Sequence, residues 1–437
     1  MKVLIIGGGG REHALAWKIN QSPRLGKLYV APGNAGTGQI AENVPIKATD
    51  IETLLEFVLK EGIDLTVVGQ DDPLALGIVD VFEAKGLRIF GPTKAAAQIE
   101  ASKVYSKWLM KACGVSTANF SAFNDHRLAL VEVRQHFVRN STPLVVKADG
   151  LALGKGAYVC RSLNEADQAI MDIMVNHIHG NAGDCIIIED YVEGQEVSMH
   201  VFCDGKSFSL FPSAQDHKPI FDGDKGPNTG GMGTIAPVPW FVYSDYLDIR
   251  YDEFVADYIV RNILDGLKRE NCPFVGCLYP GLKMSGQLPK VLEFNARFGD
   301  PETQVYMRLL KTDLLDILEA CVMGRLDEII IEWNPGFAAC IVMASAGYPS
   351  PDYVKGLPIT GIADAECESG VVVFHAGTKL VDGRFFTSGG RVLGVTGIGA
   401  TLQEALDHAY IGVERIHFDG KQYRKDIGAK SLQVQSL

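Results

Sequence analysis

Apolar and polar positions alternate in a regular order over the first hundred residues. Val3 to Ile6 is a short apolar run, which predicts a buried strand. A turn of four glycines, Gly7 to Gly10, separates it from a helical pattern over Arg11 to Asn20. Leu28 to Val30 predicts a second strand, ending at Ala31-Pro32-Gly33. Ile51, Leu54, Leu55, Val58 and Leu59 then repeat at helical spacing, and Leu65 to Val68 and Arg88 to Phe90 read as further strands. Strands alternating with helices predict an open parallel sheet, whose ligands bind beyond the carboxyl ends of the strands.

After Gly91-Pro92-Thr93 the pattern changes. One helix is predicted over Lys94 to Lys111, then strands at Leu144 to Lys147 and Ile186 to Ile188. Gln215 to Gly233 is polar and rich in glycine, so a long loop is expected there. From about residue 332 short strands return, followed by a helix with Leu402, Ala405, Leu406, Ala409, Val413 and Ile416 on one side. No repeat or flexible linker interrupts the chain, which predicts domains packed on one another.

Composition narrows the classes. The 437 residues carry 41 basic and 53 acidic side chains, a net charge of −12. An acidic chain without a basic block does not suit nucleic-acid binding. No stretch approaches the roughly 20 apolar residues of a membrane span. The first apolar run is too short for a signal peptide. Nine cysteines, an odd number without C-x-x-C spacing, predict free thiols in a reducing compartment, the cytoplasm.

Glycine is in excess and clustered, with 47 copies. A glycine loop between a strand and a helix suits an anion, because backbone N–H groups and the helix dipole converge on it. Gly7 to Gly10 followed by Arg11 meets that description. It departs from the dinucleotide fingerprint: Glu12 stands where the third glycine belongs, and the second strand lacks the terminal acid. An NAD-dependent oxidoreductase is therefore disfavoured, and another phosphate ligand or a plain tight turn is left. Gly150 to Gly156 reads G-L-A-L-G-K-G, one residue short of a P-loop and without its hydroxyl. Lys147 and Lys155 beside this loop suit a triphosphate lid, against the alternative of a solvated hairpin.

Lys290 to Arg297 reads K-V-L-E-F-N-A-R. Strict alternation puts Glu293, Asn295 and Arg297 on one face and Leu292, Phe294 and Ala296 on the other. Mg²⁺ takes one or two oxygen ligands from protein, and Glu293 with Asn295 fits that demand. Neither G-x-S-x-G nor H-E-x-x-H occurs. Among the ten histidines, His217 stands out, between Asp216 and Lys218.

Nine motifs in order carry a resemblance over essentially the whole chain. They are GGREHA from Gly9, APGNAGT from Ala31, VKADGLALGKG from Val146, QDHK from Gln215, GPNTGGMG from Gly226, EFNARFGDPETQ from Glu293, FHAGTK from Phe374, GGRVLGVT from Gly389 and RKDIG from Arg424. The sequence resembles the phosphoribosylamine–glycine ligases, or glycinamide ribonucleotide synthetases, of the ATP-grasp superfamily. The resemblance implies an α/β fold: a Rossmann-like parallel-sheet domain over residues 1–103, an ATP-grasp module over 104–331 with a mobile lid at about 125–192, and an α/β domain over 332–437. It implies an enzyme that joins glycine to 5-phosphoribosylamine with ATP and Mg²⁺, or Mn²⁺ in its place; a monomer is expected, with an oligomer as the alternative.

The resemblance also distributes roles. Lys103, Lys147, Gly154, Lys155 and Gly156 are expected at the triphosphate, Glu189, Asp190, Tyr191 and Val192 at adenine, and Glu196 at the ribose. Glu293 and Asn295 are expected to hold the metal. Arg297 and Lys155 are expected to be catalytic, Arg297 at the acyl phosphate or the developing tetrahedral oxyanion. Gly8, Gly9, Gly10, Asp71, Asp216, His217, Lys218, Gly230, Gly231, Met232, Gly233, Lys379 and Arg391 are expected around the substrates. The chain departs from the family pattern where Gly69-Gln70-Asp71-Asp72 replaces the usual Gly-Pro-Glu, at Gly8 for Asn, and at Pro280 for a small residue. Another carboxylate–amine ligase and a nucleotide-binding regulator without catalysis are the remaining alternatives.

Overall fold

The computed structural model describes residues 1–140, 142–151, 156–244 and 248–435. Five parallel strands open the chain, in the spatial order Glu42–Asn43, Lys27–Pro32, Lys2–Gly7, Leu65–Val68, Ile89–Phe90. Val3, Leu4, Ile5 and Ile6 are all fully buried, because helices cover both faces of the sheet. Asp50 caps the crossover helix Ile51–Glu61 by accepting from the Thr53 amide, and Gly62 ends it in the left-handed conformation. The strand order reverses at Lys2–Gly7. Gly8 to Gly10 and Gly69 to Asp71 therefore border the crevice at the carboxyl ends of the strands.

The helix predicted over Lys94 to Lys111 is two, Gln98–Ala101 and Lys103–Ala112. Ser102 breaks it in an extended conformation and caps the second helix through the Tyr105 amide.

Two antiparallel sheets follow. The first has the order Phe120–Phe123, Ile186–Asp190, Leu144–Ala148, Ala157–Cys160. Helices His126–Asn140 and Leu163–Ile170 bury Val133 and Ala166 with its Val146 and Ile186. The second is built on the long strand Val275–Ser285, which pairs with Gln195–Ser198, Val201–Asp204 and Leu288–Asn295.

The expected loop at Gln215 to Gly233 is largely regular. Gln215–Asp216 and Gly233–Ala236 are strands, with the hairpin Pro219–Phe221 and Lys225–Asn228 between them. They enter a sheet ordered Gln215–Asp216, Gly233–Ala236, Phe337–Ala344, Arg391–Gly399, Val371–His375. The sheet of the C-terminal part thus takes two strands from before residue 331, so 331/332 is not a boundary of the sheet. Helix Leu402–Arg415 covers it, burying Leu402, Ala405, Leu406, Ala409 and Val413 as the helical spacing predicts. No helix among the described residues is long and apolar enough to cross a membrane.

One apolar cluster joins all three parts. It contains Val3 and Ile5, Phe202 and Phe298, Tyr306, and Cys340 and Phe374. At its rim the His375 amide donates to His13 Nδ1 at 2.8 Å, and His375 Nδ1 meets Thr378 Oγ1 at 2.9 Å. Burial, with His375 adding to it, lowers His13 from 6.5 to about 3. Burial alone lowers His375 to about 4. Both rings are neutral in the folded state, and protonation costs about 1.4 kcal/mol for each unit of depression. The stability of this seam is complete above pH 6.5 and is lost as pH falls toward those lowered values. The melting temperature should fall on acidification from pH 7 to 5, and less so in His13→Asn, which keeps an acceptor that does not titrate. A melting temperature flat over that range would contradict this account.

Candidate active site

The strand carrying the predicted metal ligands is bulged. Gly281 pairs with Glu293 but Leu282 pairs with Val291, so Leu292 has no partner. Strict alternation fails there: Val291 and Phe294 both enter the core, while Leu292 turns to the same recess as Glu293. Glu196, Ser198, Asp216, Lys218, Tyr279 and Gly281 complete the recess.

Its charges are tightly interleaved. Lys218 Nζ lies 3.6 Å from Glu196 and 3.8 Å from Glu293, and Lys283 Nζ lies 3.4 Å from Glu196. Burial pushes the Glu293 carboxyl up, but Lys218, Lys147, Lys103 and Arg297 together override it and hold it at about 2. At Glu196, Lys218 and Lys283 overcome burial and lower the carboxyl. Glu196 first, then Glu293, raise Lys218 against burial.

A second cluster stands between the two antiparallel sheets. Glu189 is paired with Lys147 and, at 2.6 Å, with Lys107. All three side chains are buried. Burial opposes the charge on all three; the attraction wins at Lys147, which is raised, and at Glu189, which is lowered, whereas burial wins at Lys107 and lowers it. The Glu189 side chain is therefore turned to the lysines, which leaves only its peptide group for a base. Asp190 accepts from Asn119 Nδ2 at 2.8 Å, and Lys283 lies over the Tyr191 ring. Val192 is buried beside them. Lys103 Nζ donates to the Gly150 carbonyl at 2.7 Å. Gly156 is buried, its carbonyl accepting from the Ala148 amide. Gly154 and Lys155 lie outside the described residues.

Arg297 follows the strand Leu288–Asn295. Its Nη2 donates to Asn295 Oδ1 at 3.2 Å and pairs with Glu100 at 2.8 Å, while its Nε is buried without a partner. Asp71 begins the helix Asp71–Leu76 and acts on both Arg297 and Glu100. Asp72 is exposed.

Several residues expected around the substrates are engaged within the chain. The Gly9 amide is not open to a phosphate: it donates to Glu12 Oε2 at 2.6 Å, and Arg11 Nε pairs with Glu12 Oε1 at 2.6 Å. A carboxylate of the chain already fills the place of the anion, and a side chain at Gly69 would collide with it. Asn34 Nδ2 donates to the Gly8 carbonyl at 3.0 Å, and Gly10 is buried as the first helical residue. Both ring nitrogens of His217 are engaged by backbone groups. Its Nδ1 donates to the Gly233 carbonyl at 3.0 Å and its Nε2 accepts from the Gly428 amide at 3.2 Å. Burial, then Arg424, lowers it to about 4. Met232 is fully buried in a small core with Ile220, Val342 and Ala344, and Gly233 is a strand residue opposite Ile341. Lys379 is exposed on a separate sheet from Arg391, opposite Phe386.

Asp216, Gly230, Gly231 and Arg391 do converge. Asp216 Oδ1 accepts from the His217 amide at 2.7 Å, and burial with Glu302 nearby pushes its carboxyl well up. Arg391 Nη1 donates to the carbonyls of Gly230 and Asp300, each at 2.7 Å, and its Nη2 pairs with Asp300 at 2.9 Å. Gly231 donates to Thr229 Oγ1 at 3.0 Å. Arg391 thus clamps the Gly230 turn to Asp300. Arg391→Ala should raise the Michaelis constant for the amine substrate by about tenfold or more, as expected for a lost charge-assisted contact. An effect confined to ATP would place Arg391 in the wrong pocket.

Lys107, Glu12, Glu100 and Glu302 were not predicted as site residues. Lys107 stands four residues after Lys103 on one helix, a spacing that could have revealed it. Glu302 accepts from Tyr279 at 2.7 Å and Ser198 at 3.0 Å behind the recess. Glu100 and Glu12 carry no local signal.

Comparison with known proteins agrees along the whole chain. Residues 1–100 match the phosphoribosylglycinamide synthetase N domain, 101–303 its ATP-grasp (A) domain and 338–430 its C domain. Phosphoribosylamine–glycine ligase of Ralstonia nicotianae is 47% identical, covering 99% of this chain and 100% of that one. Its namesake from Caldanaerobacter subterraneus is 45% identical, covering 98% of this chain and all of the other. The crystal structure of phosphoribosylamine–glycine ligase from Thermotoga maritima superposes with a TM-score of 0.82 at 33% identity, covering 98% of this chain and 100% of that one. With the three domains in order and this likeness over its length, the chain belongs to the phosphoribosylglycinamide synthetase family.

Proposed function

We propose that this chain joins glycine to 5-phosphoribosylamine with ATP, giving glycinamide ribonucleotide, ADP and phosphate, the second step of de novo purine biosynthesis. The observation that carries the reading is an ionised Glu293 ringed by Lys103, Lys147, Lys218 and Arg297. Lys147, Lys218 and Arg297 also face Glu189, Glu196 and Glu100, and so dense a set of cations suits a triphosphate and an acyl phosphate.

The chemistry needs those cations. A glycine carboxylate would have to expel oxide, so it is a poor electrophile. Transfer of the γ-phosphoryl group to a carboxylate oxygen forms glycyl phosphate and releases ADP. The amine of phosphoribosylamine then attacks the acyl carbon, the C–O bond to phosphate breaks, and the amine proton leaves with solvent or phosphate. The protein positions the groups and balances charge. Lys103 and Lys147 hold the triphosphate, Glu196 the ribose, and Arg297, through its free Nε, the acyl phosphate. Asp71, Asp216, Lys218, Gly230, Gly231 and Arg391 surround the two smaller substrates. The segment 125–192 closes over the nucleotide and limits hydrolysis of glycyl phosphate.

Enzymes of the ATP-grasp type use a divalent metal, and the residues present fit one. Glu293 stays ionised and Asn295 offers an amide oxygen beside it, the oxygen donors Mg²⁺ or Mn²⁺ accepts. When bound, the ion neutralises the phosphates. The divisions at 103/104 and 331/332, a monomeric state and a cytoplasmic location complete the reading, the last supported by nine free cysteines.

The test is ADP release with Mg·ATP, glycine and phosphoribosylamine generated in place, omitting each in turn. Release should require both glycine and the amine. Folded protein that binds ATP yet releases nothing would point to another acceptor or a silent relative.

A further inference from the structure

We propose that Glu100 is a positioning residue for the ligation: it holds the Arg297 guanidinium in the orientation that meets the acyl phosphate. The inference rests on the role given to Arg297 above. Arg297 lies just past the end of its strand, where the ladder with Val275–Ser285 no longer fixes it. The Glu100 side chain is only 9% exposed and takes over that task. One carboxylate oxygen is ion-paired with Arg297 Nη2 at 2.8 Å and the other accepts from the Ala296 amide at 2.7 Å. Side chain and backbone of the same turn are thus gripped together.

A purely structural arginine would have its donors satisfied. Here Nη2 is shared between Glu100 and Asn295, Nη1 reaches the Phe298 carbonyl at 3.4 Å, and Nε is left buried and free. An unpartnered buried N–H is costly and calls for a missing acceptor. Glu100 fixes one edge of the guanidinium and leaves Nε to a ligand. Burial pushes the Glu100 carboxyl up to about 7 against the pull of Arg297, with Asp71 opposing and Arg11 favouring its charge. The same short segment also ties the lid loop. Ser102 and the Val104 amide donate to Asp149, and Lys103 donates to the Gly150 carbonyl. Arg297 and the base of the lid are therefore registered to each other through residues 100–104.

The test is a double-mutant cycle on the full chain, with kcat and each Michaelis constant measured and folding checked by thermal melting. Glu100→Ala should lower kcat about 100-fold, the scale expected of a misplaced catalytic group, with the Michaelis constant for ATP within about twofold of wild type. Glu100→Gln keeps an oxygen acceptor and should recover part of the loss. It also carries the test if the alanine variant does not fold. Adding Glu100→Ala to Arg297→Ala should lower kcat no further. Additive losses, or unchanged kcat in both Glu100 variants while Arg297→Ala is inactive, would overturn the positioning role alone. Near-normal turnover in Arg297→Ala would overturn the reading of Arg297 and this inference with it.

Discussion

Glu293→Ala is expected to abolish turnover, by about 10³-fold or more, in a chain that still folds. Removing one preorganised electrostatic group of an active site costs about 10²–10³ in kcat, and Glu293 serves both as an expected metal ligand and as the shared counter-charge of four cations. Its side chain is 35% exposed, so the loss leaves no core cavity and the melting temperature should change little. Glu293→Gln separates shape from charge: it keeps an oxygen at the recess and should be nearly as inactive. Because the carboxyl is held at about 2, the acid limb of kcat should not arise from Glu293. ADP release and melting curves decide the matter. Activity within tenfold of wild type in the alanine variant would remove Glu293 from the site.

Glu189→Ala should instead strike the fold. It strands Lys107 and Lys147, whose side chains are 2% and 8% exposed. Breaking a buried pair leaves an uncompensated charge, at a cost of about 3–5 kcal/mol. The carboxyl is held below its ordinary 4.5, so its contribution is complete above that pH and is lost as pH falls below it. Denaturant unfolding at pH 7 should show the loss, and it should shrink in Lys107→Met/Glu189→Gln, where one stranded charge is gone. Unchanged stability would mean that water reaches the lysines.

The parallel sheet was legible because its signals are local. Leu65–Val68 is a short run of Leu, Thr and two Val, rich in β-branched residues, and Ile51–Glu61 repeats at helical spacing between Asp50 and Gly62. What the periodicity could not carry is pairing. Gly233–Ala236 pairs with Phe337–Ala344 far along the chain, and the short polar edge strand Gln215–Asp216 paired to it reads as loop. The bulge at Leu292 has no residue signature, and one extra residue reverses the faces beyond it. The Glu100–Arg297 pair spans the central segment, so only the tertiary structure brings it together. His217 stood in a promising motif, but its ring nitrogens went to backbone groups in a sheet that sequence spacing did not reveal.

The two strands lent to the C-terminal sheet impose an order on biosynthesis. Gly233–Ala236 has no neighbour on its inner side until Phe337–Ala344 is made, and that strand in turn waits for Arg391–Gly399. At about 5–20 residues per second, the ribosome leaves Gly233–Ala236, and with it the edge strand Gln215–Asp216, without this support for several seconds. The nucleotide-binding sheets are then already available, while the substrate side is unfinished. A nascent chain arrested before residue 337 should therefore bind ATP without ligating, with its unpaired edge open to chaperones.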